Sequence, residues 1–174
     1  MGLTEIYQEG KKILGEKEFG WVLDAVETGF ILEHDRRILD RYTFRPRYID
    51  GVEPITTCRI LDVELATPVI MSAMTMPIPA ITDNGLMDVA QGLKDAGSLM
   101  WTGTPIPKNL KELVATGVPL VANAKPFRDR TKVFRDLEEI QKAGVTWVGI
   151  ETDAGQGTKI HDKQVATDCA PLSM

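Results

Sequence analysis

Four short stretches carry residue types able to do chemistry, and each follows a run of apolar residues. They are Ser72-Ala73-Met74-Thr75-Met76, Thr102-Gly103-Thr104, Asn123-Ala124-Lys125 and Glu151-Thr152-Asp153. Together they offer small hydroxyls, one amide, one cation and two carboxylates. Such a set, with the backbone groups around it, suits a planar heterocycle bearing several donors and acceptors. Any one of these residues alone reads as a satisfied hydrogen bond at a strand end. It is their convergence on one rim that favours function. Lys125 and Glu151 fall on what should be adjacent strands, so an ion pair is as good a reading for them as a ligand role.

Other chemistries find less support. The two histidines, His34 and His161, stand near no candidate nucleophile by pattern, so a Ser-His-Asp or Cys-His system is not indicated, and no residue is assigned as a catalytic base. His161, Asp162, Asp168 and Cys169 are metal-compatible types, but their spacing matches no familiar ligand set. Gly155-Gln-Gly157 after a strand is a weak anion-cradle signal and reads first as a loop. A net charge of −5 argues against nonspecific nucleic-acid binding. Arg41 to Tyr48 is basic and aromatic, yet Asp35, Asp40, Asp50 and Glu53 lie close by, and the expectation is a structural clamp. The two cysteines are far apart and suggest no disulfide framework. With no apolar run of membrane length and no signal-peptide layout, a cytoplasmic protein with no membrane partner is expected.

The elements that must position the four stretches alternate helix and strand. Three times a helical pattern ends in a small residue plus glycine and passes into an apolar run: Ala96-Gly97, Thr116-Gly117 and Ala143-Gly144. Glycine ends a helix there because it takes the left-handed turn without a Cβ clash. The apolar runs read as parallel strands buried on both faces, at Val69–Ser72, Ser98–Trp101, Leu120–Asn123 and Trp147–Glu151. Helices are expected at Asp83–Ala96, Asn109–Thr116 and Asp129–Ala143, the last with Asp129 or Thr131 as N-cap. Upstream, Leu3, Ile6 and Tyr7 share one helical face, Phe19, Val22, Leu23 and Val26 another, and Phe30 to Leu39 form a third segment. The fold class is therefore α/β: the N-terminal half of a (β/α)8 barrel, about four parallel strands with intervening helices, behind a helical N-terminal segment. A full barrel takes about 250 residues; this chain has 174. One domain is expected, with the helical segment and arginine-rich stretch over 1–59, the half-barrel over 60–151 and a loop or truncated tail over 152–174.

The order of Asp35-Arg36, Phe44-Arg-Pro-Arg47 and Pro68-Val-Ile-Met71, followed by Arg128-Asp-Arg130, Ala143-Gly144 and Asp153, resembles the N-terminal half of the FMN-dependent α-hydroxy-acid oxidases and dehydrogenases, the glycolate and lactate oxidase group. The resemblance runs from about residue 20 to about 155. It implies FMN as cofactor and a 2-hydroxy acid as substrate, oxidised by hydride transfer. Ala73, Met74 and Thr75 would place backbone atoms beside the flavin ring. Thr102, or Gly103, would sit where the family has a flavin-contacting serine. Asn123 would replace a glutamine at the flavin's pyrimidine side. Lys125 stands at a substrate-facing tyrosine, Glu151 at a flavin-contacting threonine, and Trp21 near another substrate tyrosine.

The sequence also departs from that pattern. The family's Pro-Thr-Ala is missing, and Ala73-Met74-Thr75 resembles the Asn-Ala-Met-Thr-Gly-Gly of type 2 isopentenyl diphosphate isomerase, another FMN barrel whose ligand carries phosphate. Its glycines are Met76 and Pro77 here. In the family the base histidine, the carboxylate-binding arginine, the lysine beside the flavin and the phosphate loops come from the second half. Three expectations follow: an incomplete FMN-dependent oxidoreductase, a half-barrel binding or assembly module without turnover, or another FMN barrel such as a flavin-dependent isomerase. Four parallel strands leave open edges, so the half-barrel would pair with a second copy or with a complementary half.

Overall fold

The computed structural model describes residues 2–23, 28–46, 48–76, 78–151 and 168–170. These fall into two compact units, Met1–Ile55 and Thr56–Met174.

The first unit holds α1 (Leu3–Glu16), a 3-10 turn at Gly20–Leu23 and α2 (Phe30–Leu39). Leu3, Ile6 and Tyr7 share the helix as their spacing predicts, but they remain exposed, as do Phe30, Ile31 and Leu32 of α2. The helix expected through Val26 is a short turn as far as Leu23, and residues 24–27 lie outside the described set. The expected arginine clamp does not form among the described residues. Ion pairs seen among the described residues of this unit join Arg37 to Glu33 within α2 and Arg36 to Asp40 at its end, because residues four apart face one another on a helix.

The second unit carries the parallel sheet and the helices between its strands. Strands β1 (Cys58–Ile60) and β2 (Val63–Leu65) form an antiparallel hairpin that the sequence reading did not include. Its two turn residues, Leu61 and Asp62, have φ of 49° and 65°, the left-handed pair that a two-residue hairpin turn needs. Neither Leu nor Asp is glycine or asparagine, so the usual sequence signal is absent. Helices α3 (Ile78–Ile81) and α4 (Gly85–Asp95) precede β3 (Met100–Thr102). Then come α5 (Leu110–Ala115), β4 (Leu120–Ala124), α6 (Arg130–Lys142) and β5 (Trp147–Ile150).

Strands β3, β4 and β5 form one parallel sheet in that order. Gly97, Gly117 and Gly144, at φ of 64°, 78° and 89°, end the three helices ahead of these strands as expected. For α6 the cap is Asp129, whose carboxylate accepts from the Thr131 backbone N–H. The expected first strand at Val69–Ser72 is not a regular strand. It is an extended segment laid along β3, where Met71 N–H donates to the Leu99 carbonyl, Met74 N–H to that of Trp101, and the Ser98 hydroxyl to that of Val69. Pro68 supplies no N–H at the start of this segment, which helps explain its sparse bonding.

The sheet has two working faces, set by the alternation of side chains along each strand. Met100, Leu120, Ala122 and Ala124 pack with Leu86, Ala90, Leu113 and Ile140 of the helices. On the opposite face Leu99, Val121, Trp101 and Trp147 pack with Leu65, Val63 and Ile60 of the hairpin. The hairpin thus covers the lower rows of that face. The rows above it, toward the carboxyl ends, are free to carry polar groups.

Candidate functional site

The pairing register fixes which residues share a row on the hairpin-side face. Trp101 aligns with Val121, and Val121 with Trp147. Two residues up, Asn123 aligns with Gly149, and beyond the paired residues come Lys125 and Glu151. Gly103 follows β3 by one residue, beside Asn123. From bottom to top the face therefore passes from tryptophan and valine, through an amide flanked by glycines, to an ion pair. A parallel α/β sheet presents ligands with this upper, carboxyl-terminal end.

Asn123 is buried at 4% exposure. Its Oδ1 accepts from the Trp101 indole N–H at 2.7 Å. A side chain at 149 would meet this group: a Cβ there would overlap Asn123 Oδ1 and approach Trp101 Nε1 to 3.0 Å. Gly103 is needed for a different neighbour. A Cβ there would stand 3.2 Å from Met74 Cα and Thr75 N, and 3.3 Å from the Ala73 carbonyl carbon. The loop of residues 73–75 is thereby pressed backbone to backbone against the end of β3.

Within that loop Ala73 and Met74 are exposed, while Thr75 is buried at 3%. The Thr75 hydroxyl has no partner, and it is the one fully buried side-chain polar atom among the described residues left that way. An unmet buried hydroxyl costs about 1–3 kcal/mol, so such an atom marks a place where a ligand or a water belongs. Thr102 is fully buried and takes the alternate positions of β3 with Met100. Its hydroxyl donates to the Val121 carbonyl at 3.3 Å, away from the Asn123 row.

At the top, Lys125 Nζ lies 2.5 Å from Glu151 Oε2, with the two side chains 14% and 20% exposed. The Thr104 hydroxyl donates to Glu151 Oε1 at 2.7 Å. Residues from the ends of β3, β4 and β5 are thus tied into one neutral cluster, and the ion pair admitted by the sequence is formed. Residues 168–170 return to the same end of β4. Arg128 N–H donates to the Asp168 carbonyl and Ala170 N–H to that of Pro126, and Cys169 is buried beneath them. Burial pushes the Cys169 thiol up from its ordinary range, with Lys125 opposing and Glu151 and Asp168 reinforcing the shift. It therefore stays protonated at neutral pH and behaves as a small apolar side chain.

Of the sequence candidates, Asn123, Lys125 and Glu151 share the upper face, and Ala73, Met74 and Thr75 border it. Trp21 belongs to the 3-10 turn of the first unit. Gly155, Gly157, His161 and Asp162 lie outside the described residues. Trp101 and Gly149 were not among the candidates. For Gly149 the signal was the period of two: counting back from Glu151 in steps of two reaches Gly149 and Trp147, on the same face.

Comparison with known proteins agrees with this architecture. The family model described as FMN-dependent dehydrogenase matches residues 10–169. An L-lactate oxidase of Lacticaseibacillus rhamnosus (strain LMS2-1) is 25% identical over 163 residues, covering 90% of this chain and 43% of that protein. Among solved structures, the refolded wild-type Pediococcus acidilactici protein described as a lactate oxidase superposes with a TM-score of 0.75 at 22% identity, over 99% of this chain and 48% of the other. A mandelate oxidase with 3,3-difluoro-2-hydroxy-3-phenylpropionic acid gives a TM-score of 0.76 at 18% identity, over 98% and 55%. The chain spans about half the length of the relatives it matches.

Proposed function

The chain belongs to the FMN-dependent dehydrogenase family, and from that premise we propose that it supplies part of the flavin seat of an oxidoreductase acting on α-hydroxy acids. The observation that carries the proposal is the buried, unpartnered Thr75 hydroxyl at the carboxyl end of the sheet. Together with the Asn123 amide and the close backbone of residues 73–75, it fits one polar edge of a planar cofactor. When bound, FMN supplies the hydride acceptor.

Each residue then has a definite task. The backbone of Ala73, Met74 and Thr75 would line the ring, and the Thr75 hydroxyl would take the hydrogen bond it lacks. Asn123 would meet the pyrimidine side. Thr102, fully buried on the face of Met100 and donating to Val121, would brace β3 against β4 from behind the seat. Glu151, fixed by Thr104 and Lys125, would border the cofactor. Lys125 would face the substrate. One of its three ammonium protons is committed to Glu151, which leaves two for a carboxylate. The reaction also needs a base for the hydroxyl proton, and none of the described residues is assigned to it.

An absorption spectrum of the purified chain, taken before and after adding FMN and removing the excess, tests the proposal. A retained, protein-perturbed flavin spectrum is expected. A flavin-free protein after exchange would overturn a cofactor seat in this chain.

A second reading rests on β5. Among the described residues it is the last strand in the sheet order, and Val148 on it is 44% exposed. An open strand edge is a template for another strand, and a second copy or a complementary half would fill it. Light scattering is expected to show an assembly at micromolar concentration; a monodisperse monomer would sink the self-pairing version.

A further inference from the structure

The orientation of the Asn123 amide is set by its neighbours. An indole N–H can only donate, so the group 2.7 Å from Trp101 Nε1 must be the Asn123 carbonyl oxygen, and the NH2 must lie on the other side. Gly149 leaves the space that this oxygen occupies. The Asn123 Nδ2 protons have no partner among the described residues, and Nδ2 keeps some solvent access, since Thr75 Oγ1 is the fully buried atom left unmet. A buried amide with one end tied and the other end open offers a ligand only one kind of group.

We infer that Trp101 is a positioning residue that locks the Asn123 amide with its NH2 toward the ligand. The site then requires a hydrogen-bond acceptor at that point, a carbonyl oxygen or an unprotonated ring nitrogen, and rejects a donor. This deepens the cofactor reading and rests on it. A heterocycle whose edge alternates carbonyl, ring N–H and carbonyl could present either kind of atom, and the lock selects between them. Because the indole makes the choice before the ligand arrives, the amide spends no time in the wrong orientation, and affinity is not reduced by the fraction of misoriented protein.

Two variants of the full chain separate the lock from its use. In Trp101→Phe the ring stays and the donor goes, so the amide can turn. FMN binding is expected to weaken about 2- to 10-fold. In Asn123→Asp, assayed at a pH where the carboxyl is ionised, the shape is kept and an oxygen still accepts from the indole, but no proton faces the ligand. FMN binding is expected to weaken more than about tenfold. The flavin-independent readout is the indole N–H resonance of Trp101, identified by its absence in Trp101→Phe. It is expected to exchange slowly with solvent in the parent and in Asn123→Asp, and fast in Asn123→Ala. A fast-exchanging Trp101 indole in the parent would overturn the lock whether or not FMN binds. A slow one with no FMN binding by the parent would uphold the lock and remove the cofactor reading instead. Equal FMN affinity of the parent and Asn123→Asp would overturn the requirement for an acceptor.

Discussion

Gly149→Ala is expected to lower FMN retention at least about tenfold and to destabilise the chain by about 1–3 kcal/mol, the usual cost of overpacking a filled site. The new methyl group would overlap Asn123 Oδ1, with Trp101 Nε1 at 3.0 Å and Cζ2 at 3.1 Å, leaving the amide nowhere to move except off the indole. Breaking that bond costs about 1 kcal/mol net, more if the carbonyl stays buried and unpaired. Gly149 is not among the residues with positive φ, so the penalty comes from space and not from backbone strain. Urea unfolding and the flavin spectrum measure the two effects. Val148→Ala, changing an exposed neighbour on the same strand, serves as the control and should leave retention unchanged. Unaltered retention in Gly149→Ala would show that the amide has room that the structure does not provide.

Glu151→Ala should cost about 1–3 kcal/mol, because it leaves the Lys125 ammonium at 14% exposure without its carboxylate and frees the Thr104 hydroxyl. Full burial would raise the figure; the remaining solvent access lowers it. Replacing both partners, Lys125→Met with Glu151→Leu, should recover most of the loss, since removing a whole pair spares the protein an uncompensated charge. The same double variant should bind a 2-hydroxy acid poorly, because the cation is gone. Denaturant midpoints for Lys125→Met, Glu151→Leu and the two combined form one cycle. Equal destabilisation by single and double variants would mean that the pair contributes as packing and not as charge.

Much of this site is legible in the sequence because parallel strands carry their chemistry at predictable ends. The three glycine junctions place β3, β4 and β5, and Asn123, Lys125 and Glu151 follow at their carboxyl ends. What stayed hidden depends on partners far apart in the chain. Nothing near Trp101 announces that its indole serves Asn123, 22 positions away. The β1–β2 turn escapes because Leu61 and Asp62 adopt left-handed angles that their types do not advertise. The segment at Val69–Ser72 has the composition of a strand, yet with Pro68 ahead of it it bonds to β3 only at intervals. The exposed apolar faces of α1 and α2 fit the periodicity, but a repeat of 3.6 states only that a face exists, not what it meets.

The hairpin beneath the sheet has a consequence for how this protein can change over generations. It confines the burden of holding Leu99, Val121 and Trp147 together to rows that no ligand at the carboxyl ends would touch. Inheritance can then work on the two ends separately. Lower-row substitutions other than at Trp101 are judged by whether the chain persists in the cell, and those at 73–76, 101–104, 123–125, 149 and 151 by what the chain accepts. A lineage on this framework can trade a glutamine-sized amide for Asn123, or a phenol for Lys125, and remain folded while it explores.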